Sequence, residues 1–159
     1  MAPTVFGLVS GLKKGLMNDI RKLSSYDIAG KGLPGKVETV VILAHINPLI
    51  LAEAYIKEKY NCDIEISISL KSSYRSLEWE KAKGRSGYSE HTYNYLGASD
   101  ITCKDFKKNK NILLDALTAI TIYTRLAVYN GFIHGDYKNA QDDAYVYNAK
   151  WVRQYKIKR

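Results

Sequence analysis

A chain of 159 residues is long enough for one domain with a buried core and short for two. Apolar residues make up 46% of it, which excludes wholesale disorder, and no run of 18 or more apolar residues occurs, so no transmembrane helix is expected. The net charge of +8 points to an anionic partner, with nucleic acid, an acidic cell-wall polymer and an anionic membrane surface as candidates; lysines that merely solubilise the chain explain it equally well.

In chain order, Val5, Leu8, Leu12, Leu16 and Ile20 have helical spacing and predict an N-terminal helix over about 4–24, with Gly7, Gly11 and Gly15 on a neighbouring stripe. The apolar start has no leading basic segment, so it does not read as a secretory signal. SSYDIAGKGLPGK is a loop. VETVVILAHINP fits a helix or a short strand and ends at Pro48, and LILAEAYIKEKYN is a helix with Glu53 four residues before Lys57. DIEISISLKS alternates strictly and predicts a strand, with Ile64, Ile66, Ile68 and Leu70 on one face. A short helix from Ser76 and a glycine-containing loop follow.

A further helix is predicted over Asn109 to Tyr123. Asn130-Gly131 marks a two-residue hairpin turn, and AYVYNAKWVRQYKIKR reads as a closing hairpin around Asn148. Cys62 and Cys103 follow no metal-site spacing and are expected as reduced thiols. The order of elements predicts a single α+β domain over 1–159, an antiparallel sheet with helices packed on one face. The other face is left for water or ligand.

Chemistry concentrates late in the chain. Phe132, His134 and Asp136 share one face of a strand by alternation. His91 and Asp100 lie in GYSEHTYNYLGASDIT, on a loop and at the start of an apolar segment. Two histidines and a carboxylate are a common catalytic zinc shell, although a His-x-Asp pair is more often simply hydrogen-bonded. His45, in an apolar run, reads as a satisfied core or surface histidine, and most of the thirteen tyrosines as packing.

Four motifs in order carry a resemblance: S-x-Y-R-S (Ser72, Tyr74, Arg75, Ser76), S-x-H (Ser89, His91), G-A-x-D (Gly97, Ala98, Asp100) and F-I-H-x-D (Phe132, Ile133, His134, Asp136). Over about residues 70 to 140 the chain resembles the zinc D-alanyl-D-alanine peptidase family. That family shares its fold with the hedgehog signalling domain and includes phage cell-wall peptidases. The resemblance implies a hedgehog/DD-peptidase-like fold, a Zn2+ cofactor held by His91, Asp100 and His134, and Arg75 directed at substrate. It implies a peptidoglycan stem-peptide substrate cut at a bond involving a D-amino acid. Tyr74 and Ser89 are candidate substrate-binding residues, Ser89 alternatively bracing its loop.

Two departures from the pattern stand out. His91 and Asp100 are nine residues apart where the family has seven. Gly131 stands where many members place a catalytic glutamate, three residues before the last histidine. Asp136 is the candidate base, or alternatively the partner that orients His134, with Glu90 in reserve. The resemblance further implies a phage or viral origin. The protein would then be made in the host cytoplasm and act on the wall after release, or travel in a virion beside other virion proteins. A non-catalytic virion component keeping the peptidase fold is the rival reading. Specific nucleic-acid binding is not expected, since the lysines are scattered and no motif for it occurs.

Overall fold

The alternating segments become strands of one antiparallel sheet in the computed structural model, which describes residues 17–69, 73–120, 123–138 and 150–154. The strands are β1 (Met17–Asp19), β2 (Ile66–Ser69), β3 (Ala98–Cys103), β4 (Arg125–Val128), β5 (Ile133–Asp136) and β6 (Lys150–Gln154), in the order β1-β2-β3-β5-β4-β6. Three helices join them: α1 (Gly35–Tyr60), α2 (Leu77–Ala82) and α3 (Phe106–Ile120). The fold is α+β, with α1 and α3 packed on each other and on the sheet.

Alternation along the strands separates two faces. Ile66, Ile68, Ile101, Cys103, Leu126 and Ile133 meet Leu49, Ala52 and Ile56 of α1 and Leu113, Ala116 and Leu117 of α3 in the apolar core. Each fully buried Leu or Ile stabilises the fold by about 1.5–3 kcal/mol relative to exposure. The opposite face carries Asp100, Thr102, Arg125, His134 and Asp136 on the same strands, one residue out of step with the core set. A polar face on strands whose backs are in the core is the platform for a site.

Helix α1 settles the choice left open for VETVVILAHINP. It runs straight through Pro48, and Val41–Ile46 is wound as a π-helix. A proline inside a helix removes one N–H and crowds the carbonyl four residues earlier. That carbonyl belongs to Ala44, and the Tyr137 hydroxyl donates to it. The wider π turn relieves the crowding and Tyr137 supplies the missing donor, so the helix continues. Among the described residues α1 alone has the length and composition of a membrane span, a property core helices share, and its inner face is buried in the core.

Several boundaries differ from the sequence pattern. The helix expected over 4–24 does not extend over its last part. Met17–Asp19 is an edge strand paired with β2, and Leu23–Tyr26 is a 3-10 turn. Pairing to an open sheet edge outweighs the weak helix propensity of a segment containing Asn18 and Asp19. Residues 4–16 lie outside the described residues. Helix α3 starts at Phe106 rather than Asn109, because the Asp105 carbonyl accepts the N–H groups of Lys108 and Asn109 and the Phe106 side chain is buried. The Asn130-Gly131 turn is present, with the Tyr129 N–H donating to the Phe132 carbonyl at 2.9 Å. Of the closing hairpin only Lys150–Gln154 is described, paired with β4. Neither Cys62 nor Cys103 forms a disulfide.

Candidate metal centre

Asp100 on β3 and His134 on β5 are directly paired across the sheet. Each arrives there because its strand alternates: Ile101 and Ile133 go to the core, so Asp100 and His134 face the other way. The same β3–β5 register sets Ile101 opposite Ile133 on the core side, so both pairs are fixed together.

His91 comes from a loop, and the loop is tied down at both ends. Ser89 caps the 3-10 turn Glu90–Thr92: its Oγ accepts the His91 N–H at 3.3 Å, and its carbonyl accepts the Thr92 Oγ1 hydroxyl at 2.7 Å. Ser89 thus braces the loop, one of the two roles open to it. The neighbouring segment is zipped to it, with the Arg75 N–H donating to the His91 carbonyl at 2.8 Å and His91 Nδ1–H donating to the Ser73 carbonyl at 2.9 Å.

The nine-residue spacing is absorbed between Tyr93 and Gly97. Tyr93 adopts φ 58° and ends the turn, its ring buried and its hydroxyl donating to the Ala98 carbonyl at 3.1 Å. The Leu96 carbonyl accepts Nε2–H of His45 at 2.7 Å. Gly97, at φ +70°, lies against the Tyr93 ring so closely that an added Cβ would fall 2.3 Å from it. The longer connection is therefore pinned to His45 through the Tyr93 ring and the Leu96 carbonyl before β3 begins, with Asn94 and Tyr95 exposed. Replacing Gly97 by Ala is expected to cost about 3 kcal/mol, combining the left-handed backbone with the overlap on Tyr93. A drop in the urea midpoint at unchanged slope is the expected reading, and a variant as stable as the parent contradicts the pinned loop.

His91 Nε2 lies 3.5 Å from Asp100 Oδ1, and His134 Nδ1 lies 2.9 Å from the same oxygen. One donor atom from each of the three residues falls within 4.8 Å of the others. Donors sharing a tetrahedral zinc are about 3.4 Å apart, so the observed separations bracket what an ion needs. The outer nitrogens also fit. A ligating histidine ordinarily donates its second N–H to a carbonyl or carboxylate. Here His91 donates to the Ser73 carbonyl, and His134 donates through Nε2 to Asp136 Oδ2 at 2.8 Å. Both rings are thereby turned with a nitrogen facing the same point beside Asp100.

Charge is strongly coupled at this point. Burial alone would raise the Asp100 carboxyl, but the adjoining His91 and His134 rings hold it well below the usual carboxylate range. Burial opposes charge on His134, yet its hydrogen bonds to Asp100 and Asp136 carry it up to about 9. Burial likewise opposes charge on Asp136, and hydrogen bonds from His134 and Arg125 bring it down to about 2. Without a metal, a proton on His134 bridges the two carboxylates.

The other candidates are placed as follows. Arg75 is buried and its guanidinium donates to the buried Glu80 carboxylate at 3.1 Å, beside Trp79. Tyr74 is half-buried, packs edge-on to Tyr93, and lines a cavity of about 690 Å³ with Trp79, Ser76 and Asp27. The Glu90 carboxylate lies 3.6 Å from Lys138 Nζ. Gly131 sits at the hairpin tip, where its carbonyl accepts the Thr102 hydroxyl at 2.8 Å. His45 is fully buried among Tyr26, Tyr93, Tyr123 and Tyr137, as a core histidine.

Sequence reasoning missed Arg125, which clamps Asp136 through two hydrogen bonds of 2.8 and 2.6 Å. The signal was present. A two-residue turn at Asn130-Gly131 sets residues equidistant from it opposite each other, which pairs Arg125 with Asp136. Comparison with family models, with curated proteins and with solved structures finds no match for this chain.

Proposed function

We propose that the chain is a zinc-dependent peptidase of the D-alanyl-D-alanine peptidase type, with a hedgehog/DD-peptidase-like fold, acting on peptidoglycan stem peptides. The observation that carries this reading is the double tethering of the ligand set. Each imidazole is held by its outer nitrogen, His91 on a carbonyl and His134 on a carboxylate, and each turns its other nitrogen toward Asp100. A hydrogen-bonded pair on a strand needs no third residue delivered from a braced loop. His91, Asp100 and His134 would hold the ion, which when bound supplies a polarised carbonyl and a water acidic near neutral pH.

The remaining roles fall to side chains on the page. Asp136 orients His134 rather than taking a proton from water. Its two oxygens already accept from Arg125 twice, from His134 Nε2 and from the Lys138 N–H. Glu90, next to His91 at the end of its tether to Lys138, is the carboxylate left to accept a proton at Oε1. Arg75 would bind a substrate carboxylate or the scissile carbonyl oxygen, with Glu80 fixing its guanidinium plane. Tyr74, beside it, lines the adjoining cavity and would contact the rest of the peptide. A net charge of +8 favours approach to an anionic wall. This reading places the protein in phage or viral biology, acting after lysis or from a virion.

A second reading is favoured by the commitment of Asp136 to Arg125 together with glycine at position 131. It is a virion component that keeps the fold and the metal without the chemistry. Incubation of purified peptidoglycan with the zinc-loaded protein, followed by mass analysis of the products, separates the two. Peptidase action predicts shortened stem peptides, none after chelation, and at least a hundredfold slower release in Glu90→Gln, a typical size for a lost general base. Intact stem peptides from protein that holds zinc favour the second reading.

A further inference from the structure

We infer that Arg125 is a positioning residue, which fixes the Asp136 carboxylate so that His134 keeps its hydrogen on Nε2 and turns Nδ1 to the metal position. This rests on the metal reading above and extends it to a residue outside the ligand set.

The Asp136 side chain is completely buried, and an isolated carboxylate there would be costly. The Arg125 fork meets it with two contacts, Nε on Oδ1 at 2.8 Å and Nη2 on Oδ2 at 2.6 Å. Two parallel contacts fix the rotation of a carboxylate, which a point charge such as lysine cannot do. With the plane fixed, Oδ2 also faces His134 Nε2 at 2.8 Å. Oδ1 takes the Lys138 N–H at 3.0 Å, so the group has no other orientation that satisfies its neighbours. A turned or uncharged Asp136 would release Nε2 and let the hydrogen move to Nδ1, where it blocks ligation.

The strand pairing builds this support into the sheet. Arg125 lies directly across from Asp136, and two residues along β4 the small Ala127 lies across from His134. Ala127 leaves room for the imidazole, and Arg125 supplies the charge behind it. Both are fully or nearly fully buried. Reach along one sheet face, not proximity in sequence, joins Arg125 to the centre.

The test uses Co2+ as the probe, read by its visible ligand-field absorption during titration of the full chain. Arg125→Gln is expected to weaken Co2+ binding about 10- to 100-fold, the usual effect of losing a ligand's supporting partner, with Arg125→Lys in between. A second measurement needs no variant: imidazole 15N NMR of the zinc-loaded parent, where His134 is expected to carry hydrogen on Nε2. Folded variants with unchanged Co2+ affinity and spectrum overturn the role of Arg125 alone. A parent that binds neither ion overturns the metal reading and this inference with it. Should the variants not fold, the NMR decides: hydrogen on Nε2 upholds the inference, and hydrogen on Nδ1 overturns it.

Discussion

Alanine at His134 is expected to lower zinc affinity on the order of a thousandfold, since ~10–16 kcal/mol of binding energy is shared among few ligands. Isothermal titration at fixed pH reads this directly, and an unchanged affinity places the metal elsewhere. The same variant should remove a pH effect. In the metal-free parent His134 is raised to about 9 by its two carboxylate partners, although burial opposes it. A raised pKa stabilises the fold fully below the unfolded value of about 6.5 and ceases to do so as pH rises through 9. Metal-free parent should therefore lose stability between those limits, and His134→Ala should not. Zinc must displace that proton, so affinity should rise with pH across the same window, with about one proton released per ion.

Phenylalanine at His45 is expected to destabilise the fold by about 3–5 kcal/mol. The ring is fully buried, Nε2–H donates to the Leu96 carbonyl, and Nδ1 accepts from the Tyr123 hydroxyl at 2.7 Å and lies 2.9 Å from the Ser99 hydroxyl. Phenylalanine fills the space but removes the contacts that the two ring nitrogens make, at about 1–3 kcal/mol each before relaxation. Burial lowers His45 to about 4, against the hydrogen bond to Leu96 that supports its charged form. The unfolded chain takes up a proton near pH 6.5 while the folded one resists until about 4. This contribution is complete above 6.5 and is lost as pH falls to 4, about 3 kcal/mol in all. The carboxylates Asp100 and Asp136 are also depressed, but they act only below their ordinary value of 3.8. Urea unfolding between pH 7 and pH 4 should thus show a steep decline in the parent and a shallow one in His45→Phe. Equal slopes would mean that His45 is protonated in the folded state.

The parts of the fold legible in the sequence are those where a local pattern and the tertiary context agree. Alternation in β2 and around Asn130-Gly131 names strands, turn and facing, and so puts His134 and Asp136 on the polar face before any coordinates exist. The second half of α1 is legible as a helix, but its continuity past Pro48 is not, because it depends on Tyr137, nearly ninety residues away, donating to Ala44. Strand β1 was hidden because an edge strand follows its neighbour rather than its own propensity. Within the site, His91, Asp100 and His134 were named from motif order and do converge. What the motifs could not convey is commitment. The motifs name Asp136 and Arg75 but not their partners, Arg125 on Asp136 and Glu80 on Arg75.

His45 answers the question raised by the long gap between His91 and Asp100. A core histidine on the π segment of α1 holds the Leu96 carbonyl and, with Gly97 folded on Tyr93, returns Asp100 to its register opposite His134. The extra length is thus anchored to the core at Tyr93, Leu96 and Gly97, with Asn94 and Tyr95 exposed between the anchors. The peptidase and the non-catalytic readings share this centre and divide only over whether Glu90 and Arg75 act on a peptide.

The most direct measurement is the zinc content of the full-length protein, purified without chelator and dialysed against micromolar zinc, beside a His91→Ala/His134→Ala double variant. One zinc per chain in the parent and none in the folded double variant is the predicted result. A folded parent that holds no stoichiometric zinc, or a double variant that holds as much, would contradict it.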